Sequence, residues 1–209
     1  MAVPENKSPR RTQLARSTES AQSLIEATIE LIAEQGFEKT TAAEIGERAG
    51  YSREMVRHRY GSKEQLLEWL LEHEHKTLLL RPPAGDRTGV AEALGQIDLM
   101  SEVAEKDSER LIAFLVLCYE AVGPIPSLIP WMRDWFASYQ AQLATALRAG
   151  QRDGTIRSDL DPDTEAQDVT FYATGLCFSL TLHRDVPDFT AAVQRLRARL
   201  DAAWRPTPD

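Results

Sequence analysis

The feature that most constrains the fold is a pair of short helical segments between residues 41 and 60, each with its own start and stop signals. The first begins with a capping box, Thr41 followed three residues later by Glu44, and is stopped by Gly50. The second is predicted at residues 52–60. Two short helices joined by a tight glycine-containing turn predict a helix-turn-helix unit, whose second helix can enter the major groove of DNA.

Helical spacing of apolar residues continues through most of the chain, and no segment shows the alternation that is typical of a β-strand. A longer helix from about residue 18 to Gly36 precedes the pair, and a second capping box, Ser62 with Gln65, begins a fourth helix. Further helices are predicted at residues 108–122, 131–153, 162–183 and toward the C-terminus, with a loop at residues 81–89 and a proline-broken turn at residues 124–130. The prediction is an all-α fold with an N-terminal three-helix helix-turn-helix domain and a C-terminal helical bundle.

The distribution of charge is more informative than its total. The net charge is -8, but residues 1–63 hold 10 Lys and Arg against 9 Asp and Glu, so the acidic excess lies in the remainder. Residues 1–17 combine four basic residues with two prolines and show no helical periodicity. We expect a flexible basic arm at residues 1–17, the helix-turn-helix domain at residues 18–63 and the C-terminal domain at residues 64–209.

Several classes of protein are excluded by what the sequence lacks. The longest apolar run, residues 111–119, is about half of what a membrane span needs, and no secretory signal is recognisable. Cys118 and Cys177 lie in apolar stretches, which indicates reduced core residues and no catalytic thiol. His73 and His75 point to different sides of a helix, so we expect a solvated helix end and no metal site. We expect a cytoplasmic protein that is no enzyme and has no cofactor or membrane partner.

Arg53 and Arg57 are the side chains best suited to reading base edges. They are four residues apart and share a helix face, and a guanidinium group can make a bidentate contact with guanine. Four residues at helix starts would meet phosphates: Thr40, Thr41, Ser52 and Lys63. Spacing alone leaves two interpretations open, a face that reads DNA and an ordinary solvated face.

Residues 36–67 resemble the DNA-binding domain of the TetR (tetracycline repressor) family of transcriptional regulators. The matching residues are Gly36, Phe37, Thr40, Thr41, Ile45, Ala49, Gly50, Ser52, Tyr60, Ser62, Lys63 and Glu64. Residues 150–166 resemble the C-terminal domain of the family more weakly. With the basic arm included, the resemblance implies a DNA-binding set of Arg10, Arg11, Thr40, Thr41, Ser52, Arg53, Glu54, Arg57, His58, Tyr60 and Lys63.

The second short helix departs from the usual family pattern at three positions. Glu54 stands where a small residue is common, Arg57 where tyrosine is common, and Arg59 where histidine or tyrosine is frequent. Glu54 has two interpretations, because its carboxylate can accept from cytosine or neutralise Arg57 or His58 in the free protein. The operator sequence does not follow from this helix.

In members of the TetR family the C-terminal domain dimerises and binds a small-molecule effector, so the resemblance implies both for residues 64–209. An aromatic-rich set is the candidate effector site: Phe114, Cys118, Tyr119, Trp131, Trp135, Phe136 and Tyr139. Together with the neighbouring Glu120, such a set would suit a lipophilic cation, although core packing is the more ordinary explanation for each residue.

The helix predicted at residues 162–183 carries two apolar stripes, and such a helix must be covered on both sides. The stripe without an evident partner in one chain consists of Phe171, Gly175, Phe178 and Leu182. We therefore expect a homodimer through a four-helix seam, formed by this helix and the one at residues 131–153 from each copy.

The function expected from these features is a ligand-responsive repressor, released from double-stranded operator DNA by a small hydrophobic or aromatic effector. The alternative is a helical ligand-binding or interaction protein that does not bind an operator.

Overall fold

The computed structural model describes residues 13–76, 78–80 and 87–206, and all regular elements in these residues are helical, which confirms the all-α prediction. In chain order they are α1 (Gln13–Gln35), α2 (Ala42–Arg48), α3 (Arg53–Tyr60), α4 (Lys63–Leu70), a π-helical turn (Leu71–His75), α5 (Gly89–Lys106), α6 (Ser108–Ala121), a 3₁₀ turn (Pro126–Leu128), α7 (Ile129–Arg152), α8 (Pro162–His183) and α9 (Val186–Trp204).

The sequence pattern placed the start of α1 too late and did not delimit α5. Helix α1 begins at Gln13, inside the predicted arm, because no glycine or proline interrupts the chain between Pro9 and Gly36. Helix α5 was not delimited by the sequence pattern. Ten of its 18 residues are buried, among them Gly95, Gln96 and Ser101, so its apolar residues do not form one clean stripe.

The N-terminal helices pack around a small core that includes the fully buried Leu24, Ile45 and Val56. Helix α1 contacts α2 on one side and α6 of the C-terminal domain on the other. Arg48 at the end of α2 binds two carboxylates of α1, Glu30 at 3.2 Å and Glu34 at 2.8 Å. Helix α1 therefore packs between α2 of the N-terminal domain and α6 of the C-terminal domain.

The C-terminal domain is a bundle in which α5 packs against α7 and α9, and α8 packs against α7 and α9. The indole of Trp204, at the end of α9, is buried and donates to Glu165 of α8 at 2.7 Å. In the described part of the chain no single helix is long and apolar enough to span a membrane, although α6 and the segment Pro126–Arg152 pass that test together as a pair bent by 108°.

The π-helical turn after α4 overturns one prediction. His73 is exposed and stacks on Trp69, as expected for a solvated helix end, but His75 is completely buried beside Phe114. The two histidines point to different sides, as predicted, but the side that His75 faces is the core and not solvent. Within the described residues, no group of three or more His, Cys, Asp or Glu side chains could hold a metal ion.

Candidate DNA-binding surface and internal cavity

Local capping and two glycines shape α2 and its approach to α3. The Thr41 hydroxyl accepts from the Glu44 amide at 3.2 Å, and the Glu44 carboxylate accepts from the Thr41 amide at 2.8 Å, which confirms the capping box. Gly50 has φ +76°, which favours glycine. A Cβ atom on Gly46 would lie 2.8 Å from the Ser52 carbonyl, so α2 can approach α3 this closely only with glycine there.

Helix α3 is held by the buried Val56 and exposes Arg53, Glu54, Arg57 and His58 to solvent. Arg53 and Arg57 are exposed and line one open groove, whose opposite wall includes Thr41 at the start of α2 and Lys63 at the start of α4. The structure thus brings together residues from three elements that the sequence assigned to DNA contact.

Two of the predicted phosphate contacts have a structural role instead. The Thr40 side chain is completely buried, and its hydroxyl donates to the Gly36 carbonyl at 2.7 Å, so it cannot reach a phosphate. The Lys63 ammonium donates to the carbonyls of Phe37, Glu38 and Thr40 at 2.8 to 3.2 Å and lies 4.5 Å from the centre of the Phe37 ring. An ammonium group has three N–H donors, and here all three are used to hold the turn before α2.

The other described residues of the predicted DNA-binding set lie outside the lining of the groove. Ser52 is exposed at the N-cap position of α3, but its hydroxyl makes no capping hydrogen bond. Glu54 and His58 are exposed on α3, whereas Tyr60 is half-buried and meets Trp69 edge-on at 5.9 Å. Arg10 and Arg11 lie outside the described residues.

An internal cavity of about 50 Å³ lies in the C-terminal domain between α5, α6, α7 and α8. Six members of the predicted aromatic-rich set line it: Phe114, Cys118, Tyr119, Trp135, Phe136 and Tyr139. The further lining residues are Leu79, Met100, Leu115, Thr170, Ala173, Thr174 and Cys177. Tyr119 and Thr174 are exposed, so the cavity reaches the surface beside α8.

Two residues assigned to this site from the sequence lie elsewhere. The Trp131 indole donates to Glu72 at 3.0 Å and does not line the cavity. The Glu120 carboxylate accepts from the amides of Phe37 at 2.9 Å and Glu38 at 3.1 Å. The proposed box for a lipophilic cation therefore lacks its carboxylate, because the last turn of α6 points Glu120 toward the helix-turn-helix domain.

The polar groups around the cavity are neutral. Burial raises the pKa of Cys118 and of Cys177 to about 12 each, so both thiols remain protonated at neutral pH. Burial also raises the pKa of Tyr139. The Tyr139 hydroxyl and the Trp135 indole N–H are buried and find no hydrogen-bond partner among the described residues.

Three contacts connect the cavity-bearing domain to α1 and the turn that follows it. Glu120 binds that turn as described above, and Arg184 after α8 donates to the Ala33 carbonyl of α1. Arg110 of α6 binds Glu26 of α1 at 3.0 Å and Glu74 of the π-helical turn at 2.5 Å. Helix α6 therefore both lines the cavity and contacts the helix-turn-helix domain.

Helix α8 leaves an apolar face uncovered. Phe171, Phe178 and Leu182 are 63%, 49% and 61% exposed, whereas Val169 and Leu180 on the other stripe are buried. Tyr119 meets Phe178 edge-on at 5.8 Å and extends this face. Among the described residues, α7 has no large apolar side chain that is exposed, so the structure does not support α7 as the second helix of the predicted seam.

The sequence missed those site features that arise from long-range packing. Leu79 lines the cavity with φ 60°, in the left-handed region that is strained for a branched side chain, and no local signal marks it. Thr170 and Thr174 point to the cavity from α8, but without the bundle they look like ordinary polar residues of a helix. The carboxylate of Glu120 could have been recognised only from the neighbouring turn, 83 residues away.

These features define a helix-turn-helix protein with an internal cavity in its C-terminal bundle. Residues 24–70 match the family model described as bacterial regulatory proteins, tetR family. The match confirms that this part of the chain resembles the TetR-family DNA-binding domain, as the sequence indicated. No sequence among the curated proteins matches the chain.

Solved structures of regulators share the whole fold at low sequence identity. The fatty acid degradation regulator FadR from Bacillus halodurans has a TM-score of 0.75 and 17% identity, over 97% of this chain and 100% of that chain. SmeT, the repressor of the Stenotrophomonas maltophilia multidrug efflux pump SmeDEF, has a TM-score of 0.69 and 18% identity, over 90% and 93% of the two chains. A SmeT–triclosan complex has a TM-score of 0.70 and 19% identity, over 91% and 99%.

Proposed function

We propose that the protein is a homodimeric transcription repressor, which binds operator DNA through α3 and is released when a small molecule occupies the C-terminal cavity. The observation that carries this proposal is the exposure of Arg53 and Arg57 along one groove of the helix-turn-helix domain. Such a regulator acts in the cytoplasm, where its DNA is.

The geometry of α3 supports base reading better than it supports a purely structural role. Val56 fixes the helix to the domain, and the two arginines lie one turn apart on the open side. The guanidinium groups of such a pair can reach guanine O6 and N7. Thr41 and Ser52 are exposed at the starts of α2 and α3, where a hydroxyl can donate to a phosphate.

The response to an effector is supported by α6. A ligand in the cavity would contact Phe114 and Cys118, and the same helix ends at Glu120, which holds the turn before α2. Displacement of α6 therefore changes the support of the DNA-binding domain. The similarity to SmeT, which has been observed with triclosan, agrees with a small-molecule effector.

Dimerisation is supported by the uncovered face of α8. A second copy that covers Phe171, Phe178 and Leu182 would remove three large apolar side chains from water. A dimer binds two half-sites only when its α3 helices are roughly 34 to 36 Å apart, one turn of DNA. An effector that changes this distance shifts the population away from the DNA-binding form.

The test of DNA binding is fluorescence anisotropy with genomic fragments over a range of salt concentrations. A regulator shows steep salt dependence together with sequence selectivity that persists at higher salt. We expect Arg57→Ala to weaken the preferred site by about 1 to 3 kcal/mol and to relax one base preference. Arg133→Ala, which removes an exposed arginine of α7, is the matched control and should leave binding unchanged.

Two results would contradict the proposal. A loss of affinity that is equal for all sequences would remove base reading from Arg57. Absence of salt-dependent binding by the wild-type protein would favour the alternative, a helical ligand-binding or interaction protein that does not bind an operator.

A further inference from the structure

We propose that the cavity selects neutral, largely aromatic compounds that carry an acceptor oxygen, which is bound by the Tyr139 hydroxyl and the Trp135 indole N–H. This inference deepens the proposed function, because it names the ligand class of the same cavity. Its test is independent, since ligand binding is measured without DNA.

Tyr139 and Trp135 supply two donors that the protein itself leaves unused. They lie one turn apart on α7, their rings are stacked with centroids 5.7 Å apart, and their exposed fractions are 3% and 6%. Neither the Tyr139 hydroxyl nor the Trp135 Nε1 has a hydrogen-bond partner among the residues that the structure describes. Buried donors are almost always paired, so an acceptor brought by a ligand is the natural partner for both.

The lining of the cavity excludes a charged ligand. Among the residues that the structure describes, it contains no Asp, Glu, Lys, Arg or His side chain, and both thiols are protonated. A carboxylate or an ammonium placed there would lose its water without gaining a counter-ion, which is strongly unfavourable. Glu120 cannot serve a cation, because it is bound to the amides of Phe37 and Glu38.

The remaining polar groups fit an oxygen function without supplying a competing donor. The Thr170 hydroxyl donates to the Ala166 carbonyl at 2.7 Å, and the Thr174 hydroxyl donates to the Thr170 carbonyl at 2.8 Å. Their protons are thus committed to α8 and only their lone pairs face a ligand. Among the described residues that line the cavity, the buried O–H and N–H donors without a partner are those of Tyr139 and Trp135, both on α7.

The aromatic walls and the volume define the rest of the ligand. Phe114 lies 4.6 Å from Trp135, and Phe136 meets Trp135 edge-on at 5.2 Å, so a flat ring can join an existing aromatic cluster. The cavity of about 50 Å³ is smaller than the roughly 150 Å³ that holds benzene. A one-ring ligand must therefore push its walls apart, and α6 is one of those walls.

The experiment compares four one-ring probes by isothermal titration calorimetry with the full chain in the absence of DNA. Acetophenone is neutral and carries an acceptor oxygen, and α-methylstyrene has nearly the same shape without the oxygen. Benzoate and phenyltrimethylammonium add a negative and a positive charge. We expect acetophenone to bind about ten-fold more tightly than α-methylstyrene, and the two ions to bind more weakly than either.

Substitutions at Tyr139 and Trp135 test whether their donors cause the preference for acetophenone over α-methylstyrene. Tyr139→Phe should weaken acetophenone binding by about five- to ten-fold and leave α-methylstyrene binding unchanged, and Trp135→Phe tests the second donor in the same way. Tyr172→Phe, which changes an exposed tyrosine of α8, is the matched control. Because Tyr139→Phe removes a buried hydroxyl that has no partner, its melting temperature should be equal to that of the wild type or higher.

The proposal is overturned if α-methylstyrene equals acetophenone, if either ion binds best, if Tyr139→Phe keeps the preference for oxygen, or if none of the probes binds. Selective binding of acetophenone by a protein that fails the DNA experiment would contradict the proposed function alone. DNA binding without oxygen selectivity would contradict this inference alone.

Discussion

Single residues of the helix-turn-helix domain divide into those that build it and those that face outward. Lys63 carries a charge that would suit a phosphate, yet its ammonium donates its hydrogen bonds to the carbonyls of Phe37, Glu38 and Thr40. Arg57 is exposed along the groove. In the sequence, Lys63 and Arg57 are both simply basic residues. Only the folded structure, which places the turn before α2 beside Lys63, shows that their roles differ.

His75 gives a prediction about acid stability. Burial, with a contribution from the nearby Arg110, lowers the pKa of His75 to about 4, whereas an unfolded histidine titrates near 6.5. Between these values the unfolded chain binds the proton and the folded chain does not, so stability falls as the pH drops from about 6.5 to about 4. This residue should cost the folded state about 3 kcal/mol over that range.

The measurement is urea unfolding of the wild type and of His75→Phe at several values between pH 7 and pH 4. Carboxylates titrate in both proteins, so the difference between them isolates His75. Thr145→Val, at an exposed position of α7 that carries no ionisable group, should keep the wild-type pH profile. If the free energy of unfolding changed with pH in the same way for the wild type and His75→Phe, the pKa of His75 would not be lowered in the folded protein.

At the scale of elements, α6 is the helix on which the proposed effector response depends. It lines the cavity with Phe114 and Cys118, and its last turn places Glu120 against the amides of Phe37 and Glu38. A carboxylate that accepts from two amides is replaced poorly by a carboxamide, which has a single acceptor oxygen.

We therefore expect Glu120→Gln to uncouple the two domains. The variant should lose about 1 to 2 kcal/mol of stability, bind DNA more weakly, and respond less to a cavity ligand than the wild type does. The measurement is DNA affinity with and without acetophenone. Glu105→Gln, at an exposed carboxylate of α5, should respond like the wild type. A full response by Glu120→Gln would place the coupling at Arg110 or Arg184.

The elements that sequence predicts well are those with local signals. The capping box at Thr41 and the N-cap Asp161, which accepts from the amides of Asp163 and Thr164, fix the starts of α2 and α8 by contacts within four residues. The π-helical turn and the orientation of Glu120 depend on packing between distant segments. Six of the seven residues of the predicted aromatic-rich set line the cavity, because α6 and α7 both border it, whereas Trp131 turns outward to Glu72.

At the scale of the whole molecule, the uncovered face of α8 gives a prediction about assembly. A Cβ atom on Gly175 would meet nothing within 4 Å, so the single chain has room for a large side chain there. In a dimer through this face, Gly175→Arg would bury an unpaired charge. We expect a folded monomer that has lost site-specific DNA binding, as measured by sedimentation, circular dichroism and anisotropy.

A matched substitution separates the two helices that were considered for the seam. Thr145 is exposed on α7, and we expect Thr145→Arg to remain a dimer with wild-type DNA binding. If Gly175→Arg sedimented as a dimer while Thr145→Arg became monomeric, the interface would lie on α7 and the role of the α8 face would be refuted.

The place where the cavity reaches the surface has a consequence for time as well as affinity. Tyr119 and Thr174 border the cavity and lie on the side of α8 that a second copy would cover. In a dimer through that face, the second copy would cover the opening of the cavity. A bound compound could then leave only when the two copies dissociate or their interface opens transiently. The residence time of the compound would then be set by the protein interface. The protein would retain a bound compound after the free concentration of that compound had fallen.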